Sequence, residues 1–230
     1  MTRLVVKVGG RVAEESASHL LELASAGHEL CVVHGAGPQI TDEMERAGIQ
    51  VEFVGGRRVT TAAGLEIVRA SLASVNDALC AALGERAVPV FANEIGFQAF
   101  RTAPELGLVG EPFAQRLAPL IRLLSAGKIP VVAPLAVDDV EPDVVLNVNA
   151  DDASTAIALG IQADRILFLT DVEGFIVDGE VVDALDVTTA DELLQGGTLD
   201  PRILPKLQAA RDAAKGGVPA FIGRTEVPAQ

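Results

Sequence analysis

Two lysines occupy places where lysine is costly. Lys7 interrupts the apolar run VVKVGG at 5–10, and a buried ammonium is expensive unless an anion meets it. Its side chain must therefore reach solvent at a strand end or point at an anionic ligand. Lys206, in RILPKLQAARDAA, falls near the start of a helix-like segment, where a cation faces the positive end of the macrodipole. Around them lie polar or glycine-rich clusters that can bind anions: Gly9-Gly10, HGAGPQ (34–39), NVNADD (147–152) and TDVEG (170–174). Each alone could be an ordinary turn. Following strands and leading into helices, as these do, such clusters expose backbone N–H groups suited to phosphate.

Other chemistries find less support. GAGPQI lacks the third glycine of the dinucleotide fingerprint, and AGKIP lacks the upstream glycine and the Ser/Thr of a phosphate loop. Lys128 is thus expected to face solvent. His34 has no nucleophile beside it in the sequence and reads as a structural histidine. Asp151-Asp152 has no Cys or His neighbours to make a metal site and suits the N-terminal charge of a helix. Cys31 and Cys80 lack metal-ligand spacing and read as reduced thiols.

The elements that must position these residues alternate in type. Apolar strand patterns cover 3–8, 30–34, 87–91, 129–134 and 218–223, and 165–175 reads as a buried strand and turn. Helical periodicity covers 12–26, a long stretch from Thr60 or Thr61 through Leu83, and 114–127, and 35–48 reads as a glycine turn opening a helix that Gly48 closes. A strand running into a helix is expected over 144–160, with further helices near 188–195 and 202–216. VEFVGGRRVT (51–60) reads as a hairpin turning at Gly55-Gly56, and IVDGEVV (176–182) as another. Continuous apolar strands alternating with helices imply one mostly parallel sheet covered on both faces. A soft boundary between two halves is expected near 134–145. Ligands of such sheets bind beyond the carboxyl ends of the strands, where the clusters above fall.

The 230 residues are 49% hydrophobic and 22% charged, enough for one large core or for two small lobes sharing one sheet. With eight Phe and no Trp or Tyr, that core must be aliphatic, and stacking platforms for single-stranded nucleic acid are lacking. The net charge of −14 opposes binding to a polyanion. No apolar run is expected to reach the roughly 18–20 residues of a membrane span. Lys7, Arg11, Glu14 and Glu15 interrupt any signal-peptide pattern, which makes the cytoplasm the expected location.

The blocks VVKVGG, VVHGAGPQI, GGRRVT, NVNADDASTAIALG, FLTDVEG and ILPKLQAARDAA together resemble the amino acid kinase family, in the family's order and over nearly the whole chain. The resemblance implies a three-layer αβα sandwich around an open, mostly parallel sheet. It implies a single domain over 1–230, with an amino-acid-substrate lobe over 1–140 and a nucleotide lobe over 141–230. The closest branch implies ATP-dependent phosphorylation of the side-chain carboxylate of N-acetyl-L-glutamate in arginine biosynthesis, with Mg²⁺ carried mainly by the nucleotide phosphates.

Site roles follow from the same resemblance. Lys7 and Lys206 match the two lysines at the transferring phosphoryl and nucleotide phosphates, and Asp151 the aspartate that orients them. Gly9, Gly10, Gly35, Ala36 and Gly37 match the glycine loops whose amides approach the phosphates and the attacking carboxylate. Arg58 matches the grip on the α-carboxylate, Asn147 and Asn149 the substrate-side asparagines, and Thr170, Asp171 and Gly174 the turn near the nucleotide. Ala36 stands where the family usually has a third consecutive glycine, and 91–111 is short and lacks the usual Ser-Gly and Asp-Gly signals. A first strand beginning almost at Met1 gives the expectation of a homodimer insensitive to arginine. The alternatives are a kinase for carrier-linked aminoadipate and a non-catalytic ligand-binding relative.

Overall fold

The computed structural model describes residues 1–9, 16–169, 173–177, 180–197, 199 and 203–230. The chain opens with β1 (Arg3–Val8), α1 (Ala17–Ser25), β2 (Glu29–His34) and α2 (Gly37–Arg46). A hairpin of β3 (Phe53–Val54) and β4 (Arg57–Arg58) leads to α3 (Ala62–Leu83) and β5 (Ala87–Phe91). Next come β6 (Gln98–Arg101), β7 (Val109–Pro112), α4 (Ala118–Ser125), β8 (Ile129–Ala133), β9 (Leu135–Asp138) and β10 (Val145–Val148). The remainder is α5 (Ala150–Gly160), β11 (Arg165–Phe168), the pair β12 (Ile176–Val177) and β13 (Glu180–Val181), α6 (Val187–Gly196), α7 (Leu204–Lys215), β14 (Ala220–Ile222) and β15 (Thr225–Val227).

Seven strands form the central sheet in the order β15-β14-β11-β1-β2-β8-β5, parallel except for β15. Alternation along the two central strands divides the core. Val5, Cys31 and Val33 pack with α4, α5 and α7 residues on one face. Leu4, Val6, Val8, Leu30 and Val32 pack with α1, α2 and α3 residues on the other. A strand's side chains point alternately to opposite faces, so apolar runs without polar interruption are what a sheet sandwiched between helices requires. Period two places Lys7 on the same face as Val5, beneath the layer that contains α5. That layer decides what Lys7 meets.

Most boundaries lie within one or two residues of the expected ones. Thr61 Oγ1 accepts a hydrogen bond from Gly64 N and caps α3. Gly55 and Gly56, at φ +56° and +78°, make the hairpin turn that only glycine adopts freely. Helix α4 is shorter than 114–127 because Leu117, with φ −101° and ψ 73°, is not helical and Pro119 follows in the first turn. Helix α3 has the length and apolarity of a membrane span, contrary to expectation, yet it carries Glu66, Arg69 and Asp77 and buries Leu65, Val68, Leu72, Val75 and Leu79 against the sheet. That is the packing of a core helix.

The larger correction concerns the middle of the chain. Strands β6, β7 and β9 fall where no strand was expected, and with β10 they close a four-stranded barrel in the order β10-β7-β6-β9, outside the central sheet. Small residues permit the closure: a Cβ on Gly110 would meet Ala99 Cβ at 2.7 Å and Leu146 Cδ1 at 3.0 Å. Phe97, Ala99, Ala136 and Leu146 are fully buried and join the core on the α4, α5 and α7 face. Thr60 fastens the barrel to the hairpin exit, donating from its N to Leu106 O and accepting Leu108 N at its O.

Candidate active site

The central strands β1 and β2 end on Val8 and His34, and each chain then turns on glycine: Gly9 after β1, Gly35 and Gly37 after β2. A cavity of about 290 Å³ opens there. One wall holds Lys7, Gly9 and the loop Gly35, Ala36 and Gly37. The second comes from the hairpin through Phe53, Gly56, Arg57 and Arg58. The third runs from Asn147 on β10 through Asn149 to Asp151 on α5.

Lys7 and Asp151 meet at 2.8 Å, Nζ to Oδ1, with both side chains only 8% exposed. Lys206, in the first turn of α7, lies 4.0 Å from the other oxygen, Oδ2, and is 20% exposed. One carboxylate therefore spans two ammonium groups nearly two hundred positions apart in sequence. Helix α5 sets this up. Asn149 caps it, its side-chain oxygen accepting Asp151 N at 2.7 Å, and α5 packs on β1 and α7. Burying such charges costs several kcal/mol per ion before pairing, and the shared carboxylate offsets part of that cost for both ammonium groups.

The loop after β2 is shaped by bare backbone. A Cβ on Gly37 would meet nothing within 4 Å, and one on Gly35 only Ala150 Cβ at 3.6 Å. Neither glycine has positive φ, so what glycine supplies here is room. Ala36 has φ −136° and is buried at the N-cap of α2; its methyl sits in the core beside Ile40 and Met44. The departure from a third glycine therefore introduces no backbone strain.

Arg58 is fixed by neutral partners. Its Nη2 donates to Thr41 Oγ1 at 2.7 Å and Gly37 O at 3.1 Å, and its guanidinium lies 4.7 Å from the centre of the Phe53 ring. Among the described residues no carboxylate pairs with it, and burial lowers its pKa. A buried guanidinium held this way keeps its charge available to an incoming anion. Asn147 Nδ2 donates to Thr60 Oγ1, which in turn donates to Arg58 O. Asn147 therefore braces the hairpin from the barrel. Asn149 has its carboxamide oxygen committed to the helix cap, which leaves its NH₂ group for a ligand.

Gly174 is buried but does not line the cavity: a Cβ there would meet Val181 Cγ1 at 2.6 Å and Thr225 Oγ1 at 2.7 Å, so packing alone explains the glycine. Gly10, Thr170 and Asp171 lie outside the described residues. His34 is fully buried, with Nε2 3.1 Å from Asn76 Nδ2, and burial pushes its pKa down to about 4. Neutral and enclosed, it is structural. Cys31 and Cys80 are free thiols, the first raised by burial to about 12. Lys128 is exposed, donating to Glu85 O. Among the described residues no group of three or more His, Cys, Asp or Glu could hold a metal ion.

Arg57 was legible only as half of a basic pair. In the structure it lines the cavity and reaches Asp152 Oδ2 at 3.3 Å and Glu111 Oε2 at 3.5 Å. Its neighbour in sequence is Arg58, and period two sends the two side chains in opposite directions.

Residues 2–224 match the family described as the amino acid kinase family. The chain is 39% identical over 227 residues to the acetylglutamate kinase of Rubrobacter xylanophilus, covering 96% of this chain and 88% of that one. It is 36% identical over 237 residues to the acetylglutamate kinase of Cereibacter sphaeroides, covering 96% and 80%. Among solved structures, smu.665 from Streptococcus mutans superposes with a TM-score of 0.89 at 26% identity, over 99% of both chains. The N-acetylglutamate synthase of Neisseria gonorrhoeae, at 22% identity, shares the fold with a TM-score of 0.85 over 60% of its length. With the match running almost from end to end, this chain belongs to the amino acid kinase family.

Proposed function

We propose that the protein transfers the γ-phosphoryl group of ATP to the side-chain carboxylate of N-acetyl-L-glutamate, the acetylglutamate kinase reaction of arginine biosynthesis. The observation that carries the reading is the pairing of Lys7 and Lys206 with one aspartate, Asp151, beside a cavity whose far wall offers Arg58, which has no carboxylate partner among the described residues. The names of the relatives supply the substrate.

The chemistry suits these residues. A glutamate side chain ionises near pH ~4.3, so the nucleophile is ready at neutral pH without a general base. The oxygen–phosphorus bond forms as the bond to the β-phosphate oxygen breaks, ADP departs, and no proton moves. The barrier is electrostatic: two unit charges of like sign repel by about 4 kcal/mol at ~4 Å and an effective dielectric of ~20. Lys7, reaching from the end of β1, and Lys206, from the first turn of α7, offset that repulsion and stabilise charge on the transferring group. Asp151 holds both ammonium groups at fixed positions, so little reorganisation accompanies the reaction. The N–H groups of Gly9 and Gly37 add donors at the strand ends, while the Gly35 N–H is committed to Val8 O. Mg²⁺ carried by the nucleotide would neutralise part of the phosphate charge. Arg58 receives the α-carboxylate, while Asn147 and the NH₂ group of Asn149 face the remainder of the acyl amino acid.

Hydroxylamine trapping tests the reading directly. With ATP and Mg²⁺, N-acetylglutamate should yield the hydroxamate of an acyl phosphate, and free glutamate and N-acetylaminoadipate should yield far less. A preference for N-acetylaminoadipate would move the substrate to the aminoadipate kinase. ATP binding without any hydroxamate would identify a non-catalytic relative.

A further inference from the structure

A hairpin of two-residue strands is marginal by itself. The β3–β4 hairpin has only the pairs Phe53↔Arg58 and Val54↔Arg57, and leaves Phe53 and Val54 exposed. Yet it supplies a whole wall of the cavity, so something must hold it there. Arg58 ties it to α2 on one side, through Gly37 O and Thr41 Oγ1. On the other side the tie is Arg57. Its guanidinium donates to Asp152 on α5 and to Glu111 on β7.

The two contacts of Arg57 differ in weight. Glu111 is 65% exposed, so that pair is screened. Asp152 and Arg57 are 21% and 22% exposed, a sheltered pair. Arg57 also stands at a partition. It lines the 290 Å³ cavity and a second one of about 190 Å³ behind it, whose wall includes Asp152 together with Gln208 and Asp212 of α7. Asp152 is the residue after Asp151, in the same first turn of α5. The hairpin is thereby fastened to the turn that holds the two lysines.

We infer that the Arg57–Asp152 ion pair is a latch that fixes the β3–β4 hairpin over the acyl-amino-acid end of the cavity, making Arg57 and Asp152 positioning residues for that substrate. The inference rests on the proposed reading of the cavity.

Asp152 is an awkward carboxylate to keep. Its pKa is raised to about 6, chiefly by burial and also by Asp151 on its own helix, Glu111 on β7 and Asp212 on α7, against the pull of Arg57 from the hairpin. Its ionised form costs the fold stability above pH ~6. An asparagine would avoid that cost and cap no worse, since Asn149 already caps the helix. A latch accounts for the retained charge.

The test is a double-mutant cycle of Arg57→Leu and Asp152→Asn, read in two ways. Hydrogen exchange over residues 51–60 reports the latch even if N-acetylglutamate is not the substrate; wild-type hydroxamate formation reports the substrate reading separately. Both single variants should speed exchange in that segment while leaving the central strands protected. Each should raise KM for N-acetylglutamate by roughly three- to tenfold with KM for ATP unmoved, and the double variant should be no worse than either. In the wild type, KM for N-acetylglutamate should climb as pH falls through about 6, where Asp152 takes up its proton. In Asp152→Asn it should stay flat, and Arg57→Lys should restore part of the loss. Unchanged exchange in both variants overturns the latch. Faster exchange with an unchanged KM, or effects that multiply in the double variant, overturns the positioning role.

Discussion

The cleft has two ends, and the protein handles positive charge differently at each. At the strand ends Lys7 and Lys206 share Asp151, at 2.8 and 4.0 Å. At the hairpin Arg58 is held by a hydroxyl and a backbone carbonyl, with no carboxylate from the described residues. The contrast follows from what each end must do under the proposed reaction. Charge at the phosphoryl end migrates from the nucleotide to the acceptor. The cations there need fixed positions while their ligand changes, and a shared counter-ion supplies that. The α-carboxylate keeps its charge throughout, so its partner needs only an unspent positive group. One end is built for the transition state and the other for binding. Interactions of the first kind move kcat, and those of the second move KM.

The largest effect should come from the lysine end. Lys206→Ala should lower kcat by roughly 10²–10³-fold, the loss typical of removing one preorganised donor from a developing charge, with KM for N-acetylglutamate nearly unchanged. Because Lys7 would remain as the close partner of Asp151, thermal stability should hold. Steady-state kinetics and a melting curve on one sample decide it. If KM for the amino acid rose while kcat held, the two ends would not differ as described.

Arg58→Ala should show the reverse. Losing a charge-assisted hydrogen bond to a carboxylate costs about 1.5–3 kcal/mol, which is roughly a ten- to hundredfold rise in KM for N-acetylglutamate. The effect on kcat should be small. Substrate titrations at saturating ATP measure both numbers. An unchanged KM would remove Arg58 from the α-carboxylate site and leave the hairpin wall without its anion receptor.

The same contrast shows what sequence can reveal. Lys7 betrayed itself by standing in an apolar strand, and Lys206 by standing at the wrong end of a helix; both anomalies are local. The central strands were legible because burial on both faces writes a continuous apolar run, as in LVVKV and IPVVA. The small barrel was not. Only β10 was expected, as the strand leading into α5; β6, β7 and β9, four residues each, are too short for a period to establish itself, and the closure depends on Gly110 admitting Ala99 and Leu146. That contact joins distant segments and leaves no mark on either alone. Arg57 escaped for a related reason. Its meaning lies in Asp152, 95 residues away, and adjacent pairs such as RR and DD look alike whether or not their members face the same partner.

Two glycines give the finest test of what was read from pattern and what from space. Gly37 and Gly174 both match family motifs, yet their surroundings differ. A methyl on Gly37 meets nothing within 4 Å and points into room beside the cavity. Its φ is not positive and it begins α2, so Gly37→Ala should leave the fold as stable or gain about 0.4–1 kcal/mol from reduced unfolded-state entropy. If that room belongs to ligand, KM for substrate should nonetheless rise several-fold, because the methyl would occupy it. Gly174→Ala should behave oppositely. The added methyl meets Val181 and Thr225 well inside contact distance, which should cost roughly 1–3 kcal/mol of stability while leaving KM for N-acetylglutamate unchanged. Denaturant melts paired with kinetics separate the two patterns. A stable Gly37→Ala variant with normal KM would mean that the space beside α2 is left empty by the ligand. The glycine loop would then owe its composition to the turn alone.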